Sequence, residues 1–192
     1  MSSAPAGLFA AAGEIQEKLS RAGFRFCFIG GLALQRWGEQ RYTRDIDITL
    51  LCRFGDEIAV ARRIAELISP RLAGAVEFAR ESRVFLGEAN DGTPVDIALG
   101  GIDFEVRCVQ RASPFDFGGG LSLLTCSAED LIVMKSFAGR GQDWVDIEAI
   151  IVRRGPALDW ALIDRELEPL LALKDSTDAG ERLAALRKGC WP

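Results

Sequence analysis

Three aspartates carry the most specific chemistry in this chain. Asp45 and Asp47 flank Ile46 at the start of an apolar stretch, and Asp96 interrupts another, Val95-Asp96-Ile97-Ala98-Leu99. Residues two apart in a strand face the same side, so Asp45 and Asp47 project two carboxylates together. Like charges at that separation repel unless a cation lies between them. A hard, oxygen-seeking ion such as Mg2+ suits the pair, because it takes one or two carboxylates and completes its shell with water and phosphate oxygens. A carboxylate inside an apolar strand is costly unless paired or metal-bound, which makes Asp96 the candidate third ligand. Gly30-Gly31 follows the stretch Phe24-Arg25-Phe26-Cys27-Phe28-Ile29. With no side chains there, backbone N–H groups at a helix start can approach phosphate oxygens. Each feature has a plainer reading: a bare D-x-D is usually a solvated turn, a glycine pair a tight turn, and Asp96 a strand-end residue facing water. The combination is more specific than its parts, since all three lie at strand ends in one half of the chain.

Cations stand close to these groups. Arg41 and Arg44 flank the approach to the D-x-D, placed to hold phosphates or to offset its charge, and Thr43 between them can order the turn. Lys135 emerges from Leu131-Ile132-Val133-Met134-Lys135-Ser136-Phe137, where a long side chain either snorkels to solvent or reaches a phosphate. If it grips a phosphate, Lys135→Met keeps the apolar stem, and folding stability should hold or rise. Arg140 is a weaker candidate, and Asp143 and Asp146 are explained as helix caps.

The elements that must position these residues follow from periodicity. Leu8, Ala11, Ala12, Ile15 and Leu19 recur at helical spacing, and Gly23 closes that helix. Phe24–Ile29 and Ile46–Leu51 read as strands, with a short helix over Leu32–Trp37 between them. Asp56 caps a predicted helix that runs to Ser69 and stops at Pro70. Arg83–Gly87 and Thr93–Leu99 flank Asn90-Asp91-Gly92, a hairpin signal. A weak helical pattern covers Phe104–Gln110. Pro and Gly gather between Ser113 and Gly120, the best internal boundary, so residues 1–112 are expected to form a core and 113–192 a helical portion packed on it. There, Ser127 with Asp130 resembles a capping box for a helix to Ala138, and Asp143 with Asp146 repeats it for a helix to Arg153. Helices over Leu158–Lys174 and Ala179–Lys188 follow, the last ended by Gly189. A mixed sheet followed by helices makes the fold class α+β.

Composition narrows the function. Of 192 residues, 48% are hydrophobic and 27% charged, which excludes a disordered or low-complexity chain. With no histidine at all, a Ser-His-Asp triad, a Cys-His pair and a histidine-ligated zinc are excluded. A net charge of −5 speaks against tracking nucleic acid by charge alone, though not against a local basic patch. Five scattered cysteines without a CxxC pair read as reduced core residues. No basic leader and no membrane-length apolar run occurs, so the expected location is the cytoplasm.

The stretch GGLALQRWGEQRYTRDIDITLL, with Asp96 on a later strand, resembles the signature of the DNA-polymerase-β-like nucleotidyltransferase superfamily. Within it, the pattern from Gly30 to Asp47 is similar to the AbiEii-like branch, nucleotidyltransferase toxins of toxin–antitoxin pairs. EDLIVMKSFAGRGQDWVDIEAI also looks like that branch, and the likeness covers about Phe24 to Ile151. Many members carry glycine-serine where this chain has Gly30-Gly31, so that hydroxyl is missing here. The resemblance implies a polymerase-β-like core and transfer of a nucleotide from a nucleoside triphosphate to an acceptor hydroxyl. Asp45, Asp47 and Asp96 would hold two Mg2+ ions, and Asp96 would help activate the acceptor or take its proton. Gly30, Gly31, Arg41, Thr43, Arg44 and Lys135 would contact the nucleotide. The acceptor is a tRNA 3′ end, a protein side chain or a small molecule, and an antitoxin protein is a further expected partner.

Three other readings compete with this one. Asp45-Ile46-Asp47-Ile48-Thr49 fits the D-x-D-x-T motif of haloacid-dehalogenase-like phosphatases, but those place the apolar strand before the first aspartate, and here it follows. A D-x-D glycosyltransferase leaves Gly30-Gly31 and Asp96 without a role. A non-catalytic relative acting as a binding or regulatory protein is the remaining alternative, and the intact aspartate trio argues against it.

Overall fold

A computed structural model describes residues 6–39, 42–174 and 178–190. The chain divides into two compact units, Met1–Leu32 with Arg41–Cys126, and Ala33–Gln40 with Ser127–Pro192. Seven strands and nine α-helices occur among the described residues, a mixed α+β fold.

The first unit is built on one sheet. Helix α1 (Ala6–Arg21) buries Leu8, Ala11, Ala12, Ile15 and Leu19, the predicted stripe. It ends at Gly23, whose φ of 75° lets the Phe24 N–H turn back to the Leu19 carbonyl. Strand β1 (Phe26–Phe28) runs into helix α2 (Gly30–Trp37), and β2 (Ile46–Leu51) returns antiparallel to β1. Then come α3 (Glu57–Ala65), β3 (Ser69–Pro70), α4 (Ala75–Ser82), β4 (Val84–Glu88), β5 (Pro94–Gly100), α5 (Asp103–Arg111), β6 (Ser113–Asp116) and β7 (Ser122–Thr125). The strand order is β3-β4-β5-β2-β1-β7-β6, with β2–β5 and β1–β7 parallel and the other pairs antiparallel. Ile46, Ile48 and Leu50 from β2 and Val95, Ile97 and Leu99 from β5 join α1, Phe26, Phe28 and Phe85 in one core. This alternation leaves Asp47, Thr49, Asp96 and Ala98 on the opposite face.

The differences from the sequence reading have local causes. The helix expected to reach Ser69 stops at Ala65, because Ser69-Pro70 pairs with β4 at the sheet edge, where proline is tolerated. Helix α4 escaped the pattern because only Ala75 and Ala79 are buried on it. The Pro/Gly-rich segment expected as a boundary is a hairpin: Gly118, Gly119 and Gly120 all have positive φ and turn β6 into β7. The Asn90-Asp91-Gly92 hairpin forms as expected, with Gly92 at φ 82° and the Asp91 carboxylate accepting the Thr93 N–H.

The second unit is helical: α6 (Ala128–Ala138), α7 (Gly141–Arg154), a short 3-10 turn (Gly155–Ala157), α8 (Trp160–Lys174) and α9 (Asp178–Cys190), together with the second half of α2. Ser127 caps α6 by accepting the Asp130 N–H, and Gly139 in the left-handed region closes it. Gly189 does not end α9, which runs on to Cys190.

Candidate active site

The sheet register decides which aspartates meet. Asp47 lies directly beside Asp96 in the parallel β2–β5 ladder. Paired residues of neighbouring strands point to one face about 4.8 Å apart, so the two carboxylates share a side of the sheet. Both strands are interior, so the pair lies mid-sheet at the strand ends. Asp45 sits just ahead of β2 in a bend, exposed, so strand alternation does not fix its direction.

The glycine pair packs against this row. The Ile29 N–H donates to the Asp47 carbonyl, which brings the start of α2 beside Asp47. Gly30 has φ 55°, and a Cβ there would lie 2.1 Å from Asp47 Oδ2. A Cβ on Gly31 would lie 2.5 Å from Thr43 Oγ1. Each glycine therefore makes room for one side chain of the motif: Gly30 for the Asp47 carboxylate, Gly31 for Thr43. Thr43 is buried, and its hydroxyl reaches the Asp45 carbonyl at 3.5 Å, consistent with a role in the turn. The N–H groups opening α2 have no intrahelical acceptors, an anion-binding feature of any helix start.

Arg44 is exposed, its guanidinium 5.4 Å from the Tyr42 ring. Arg41 lies outside the described residues. Asp96 has a cationic partner that no sequence motif signals: Arg71 Nη2 donates to Asp96 Oδ1 at 2.7 Å. Arg71 follows the two-residue edge strand β3, and no motif marks it; only the strand order brings it near Asp96.

In the second unit, the Lys135 ammonium is buried between two carboxylates, 2.6 Å from Asp146 Oδ2 and 3.3 Å from Asp143 Oδ1. The Arg140 N–H and Nε also donate to Asp143 Oδ2, and Gln142 Nε2 donates to Asp146 Oδ1. Asp143 thus caps the first turn of α7, while Asp146 serves Lys135 and Gln142 rather than a helix end. A phosphate would have to compete with both carboxylates for Lys135.

Carboxylate oxygens are the donors a hard divalent cation prefers, and the Gly30 cradle holds one of them without obstruction. Asp45, Asp47 and Asp96 fit such an ion in kind. Among the described residues, no three His, Cys, Asp or Glu side chains are gathered closely enough to enclose one, and Asp96 is turned to Arg71.

Comparison with known proteins adds the following. The family model described as "Nucleotidyl transferase AbiEii toxin, Type IV TA system" matches residues 17–177. No curated protein matches the sequence. Among solved structures, an antigenic nucleotidyltransferase-like protein from Paracoccidioides brasiliensis aligns with a TM-score of 0.53 at 15% identity, covering 95% of this chain and 94% of that one. At that identity the likeness is one of fold. The solution structure of the antibiotic-resistance factor ANT(2″)-Ia aligns at 0.46 and 18% identity, over 95% of this chain and 90% of that one. The crystal structure of ANT(2″)-Ia in complex with adenylyl-2″-tobramycin aligns at 0.48 and 18%, over 95% and 98%.

Proposed function

This chain belongs to the AbiEii nucleotidyl transferase family and is a nucleotidyltransferase; from that premise we propose that it moves a nucleotide from a nucleoside triphosphate to an acceptor hydroxyl at the Asp47–Asp96 row. The observation that carries this reading is the register that sets Asp47 beside Asp96, with Gly30 against the Asp47 carboxylate. Asp45, Asp47 and Asp96 would hold Mg2+, which when bound supplies charge neutralisation on the phosphates and lowers the pKa of a nearby hydroxyl.

The chain's own residues supply the rest. Backbone N–H groups at the start of α2 would bind phosphate oxygens, while Gly30 and Gly31 let the Asp47 and Thr43 side chains lie against that helix start. Arg44 adds positive charge beside the motif, Arg41 is a further phosphate candidate from its place in the sequence, and Thr43 orders the turn that presents the aspartates. The acceptor oxygen attacks the α-phosphorus, its proton passes to an Asp96 oxygen, and the bond to pyrophosphate breaks. Arg71 donates to Oδ1, and we therefore assign that proton to Oδ2. Lys135 enters as the cation that ties α6 to Asp143 and Asp146 on α7.

The acceptor is a tRNA 3′ end, a protein side chain or a small molecule. The family description names a toxin of a Type IV toxin–antitoxin system, which supports the reading of this chain as such a toxin with an antitoxin protein as its counterpart. No helix among the described residues is long and apolar enough to cross a membrane. We read the activity as cytoplasmic, a reading supported by its need for nucleoside triphosphates and by five free cysteines, which suit a reducing compartment.

The test is to incubate wild type and Asp47→Asn with α-labelled triphosphates, Mg2+ and cell lysate, then assay RNA, protein and small-molecule fractions for label. Label should enter one fraction with wild type and be lost with Asp47→Asn, whose amide is nearly isosteric but lacks the charge that would hold a cation. Equal labelling by both proteins overturns the site.

A further inference from the structure

We propose that Arg71 is a positioning residue for Asp96: it fixes the third carboxylate for transfer and, by its charge, restrains cation binding at the row. This rests on the reading of the site above. The Arg71 N–H donates to the Leu86 carbonyl at 2.9 Å, and Leu86 is the residue paired with Asp96 across β4–β5. The Arg71 backbone is therefore anchored one strand away from Asp96, and its guanidinium reaches over β4 to Oδ1. Asp47 flanks Asp96 on the other side, from β2. The row across the sheet reads Arg71, Leu86, Asp96, Asp47, with the positive charge on the flank away from Asp47.

That order has two consequences of opposite sign. A carboxylate held by one oxygen favours one rotamer, so its other oxygen is presented to the reacting groups with a shorter conformational search. The same guanidinium competes with a divalent cation for Asp96 and offsets the local negative charge. The Arg71 and Asp96 side chains are 34% and 37% exposed, so water screens the pair and it can open. An ordinary surface ion pair would contribute little to folding and nothing to either property.

Removing the charge should therefore strengthen ion binding while slowing transfer, a pairing that loss of structure does not produce. The experiment uses the full chain as wild type, Arg71→Met and Arg71→Lys. Mn2+ affinity without nucleotide is measured from the free-ion electron paramagnetic resonance signal, kcat and KM from triphosphate turnover at saturating Mg2+, and Tm by calorimetry. Arg71→Met is expected to bind Mn2+ about five-fold more tightly, the factor that corresponds to a partly screened charge pair. Its kcat should fall about ten-fold or more, with KM for the triphosphate within two-fold of wild type. Arg71→Lys keeps the charge but not the fork, so Mn2+ affinity stays near wild type while kcat falls part of the way.

Unchanged Mn2+ affinity and unchanged kcat in a folded Arg71→Met protein overturn the inference, whatever the change in Tm. A raised KM at unchanged kcat also overturns it, since Arg71 would then contact phosphate rather than position Asp96. A wild type that transfers no nucleotide would sink the proposed reaction alone, because the Mn2+ titration still decides the role of Arg71.

Discussion

Replacing Gly30 by alanine isolates the contact on which the site depends. The substitution does two things: it puts a side chain on a backbone with φ 55°, and it places a Cβ 2.1 Å from Asp47 Oδ2, 2.7 Å from its Cγ and 2.9 Å from its Cβ. The left-handed conformation costs a residue other than glycine about 1–2 kcal/mol. The contact is a separate matter. To regain the 3.4 Å of ordinary van der Waals contact, the Asp47 carboxylate must retreat by about 1.3 Å. Misplacing a reacting group by about 1 Å can cost two orders of magnitude in rate. Gly23→Ala provides the control, because Gly23 has φ 75° and nothing within 4 Å of a Cβ, so it carries the strain without the collision. Gly23→Ala should lose about 2–8 °C in Tm for a chain of this size, and Gly30→Ala at least as much. Only Gly30→Ala should lose transfer, by about a hundred-fold in kcat. The assay is Mg2+-dependent incorporation of α-labelled triphosphate, with calorimetry on the same preparations. Near-normal kcat in Gly30→Ala with the same Tm as Gly23→Ala would refute the reasoning, since the Asp47 carboxylate would not need its observed position.

Other outcomes follow from neighbouring contacts. Gly31→Ser should lower both Tm and transfer rate, because its Cβ meets the Thr43 side chain at 2.5–3.0 Å; a gain in rate would show that Thr43 yields. Lys135→Met should destabilise the protein by about 3 kcal/mol, since it leaves Asp143 and Asp146 buried without their shared cation. That sign is opposite to the one expected if Lys135 served a phosphate alone, and an unchanged unfolding midpoint in denaturant would contradict the role of the two carboxylates. The Asp91 carboxyl is held below its ordinary range by the hydroxyl and then the N–H of Thr93. A lowered carboxyl pKa contributes stability above the unfolded value, about 3.9, and loses it as pH falls through the folded value. Asp91→Ala should therefore narrow the Tm difference between pH 6 and pH 3, and an identical acid profile in both proteins would count against that account.

Short-range chemistry made much of this protein legible before its fold was known. The α1 stripe, the Gly23 terminator, the Ser127 cap and the Asn90-Asp91-Gly92 hairpin depend on residues within a few positions of each other, so periodicity and turn preference specify them. The Gly30-Gly31 and D-x-D motifs were readable for the same reason, and so was the need for a nearby cation. The tertiary structure alone settled what lies opposite what. Residues 47 and 96 become neighbours through a parallel register between β2 and β5, and no local signal encodes which rungs pair. Arg71 has no pattern of its own and gains meaning from an edge strand that sets it across β4 from Asp96. Lys135 looked like a solvent-seeking or phosphate-seeking cation because its partners lie on the next helix, where they resembled caps. The glycine run at 118–120 read as a boundary because glycine marks any turn, and only the pairing of β6 with β7 shows that this turn closes a hairpin on the sheet. Local conformational preference is carried by adjacent side chains, whereas partner choice for a buried or charged group is decided by whichever distant strand or helix the core brings alongside.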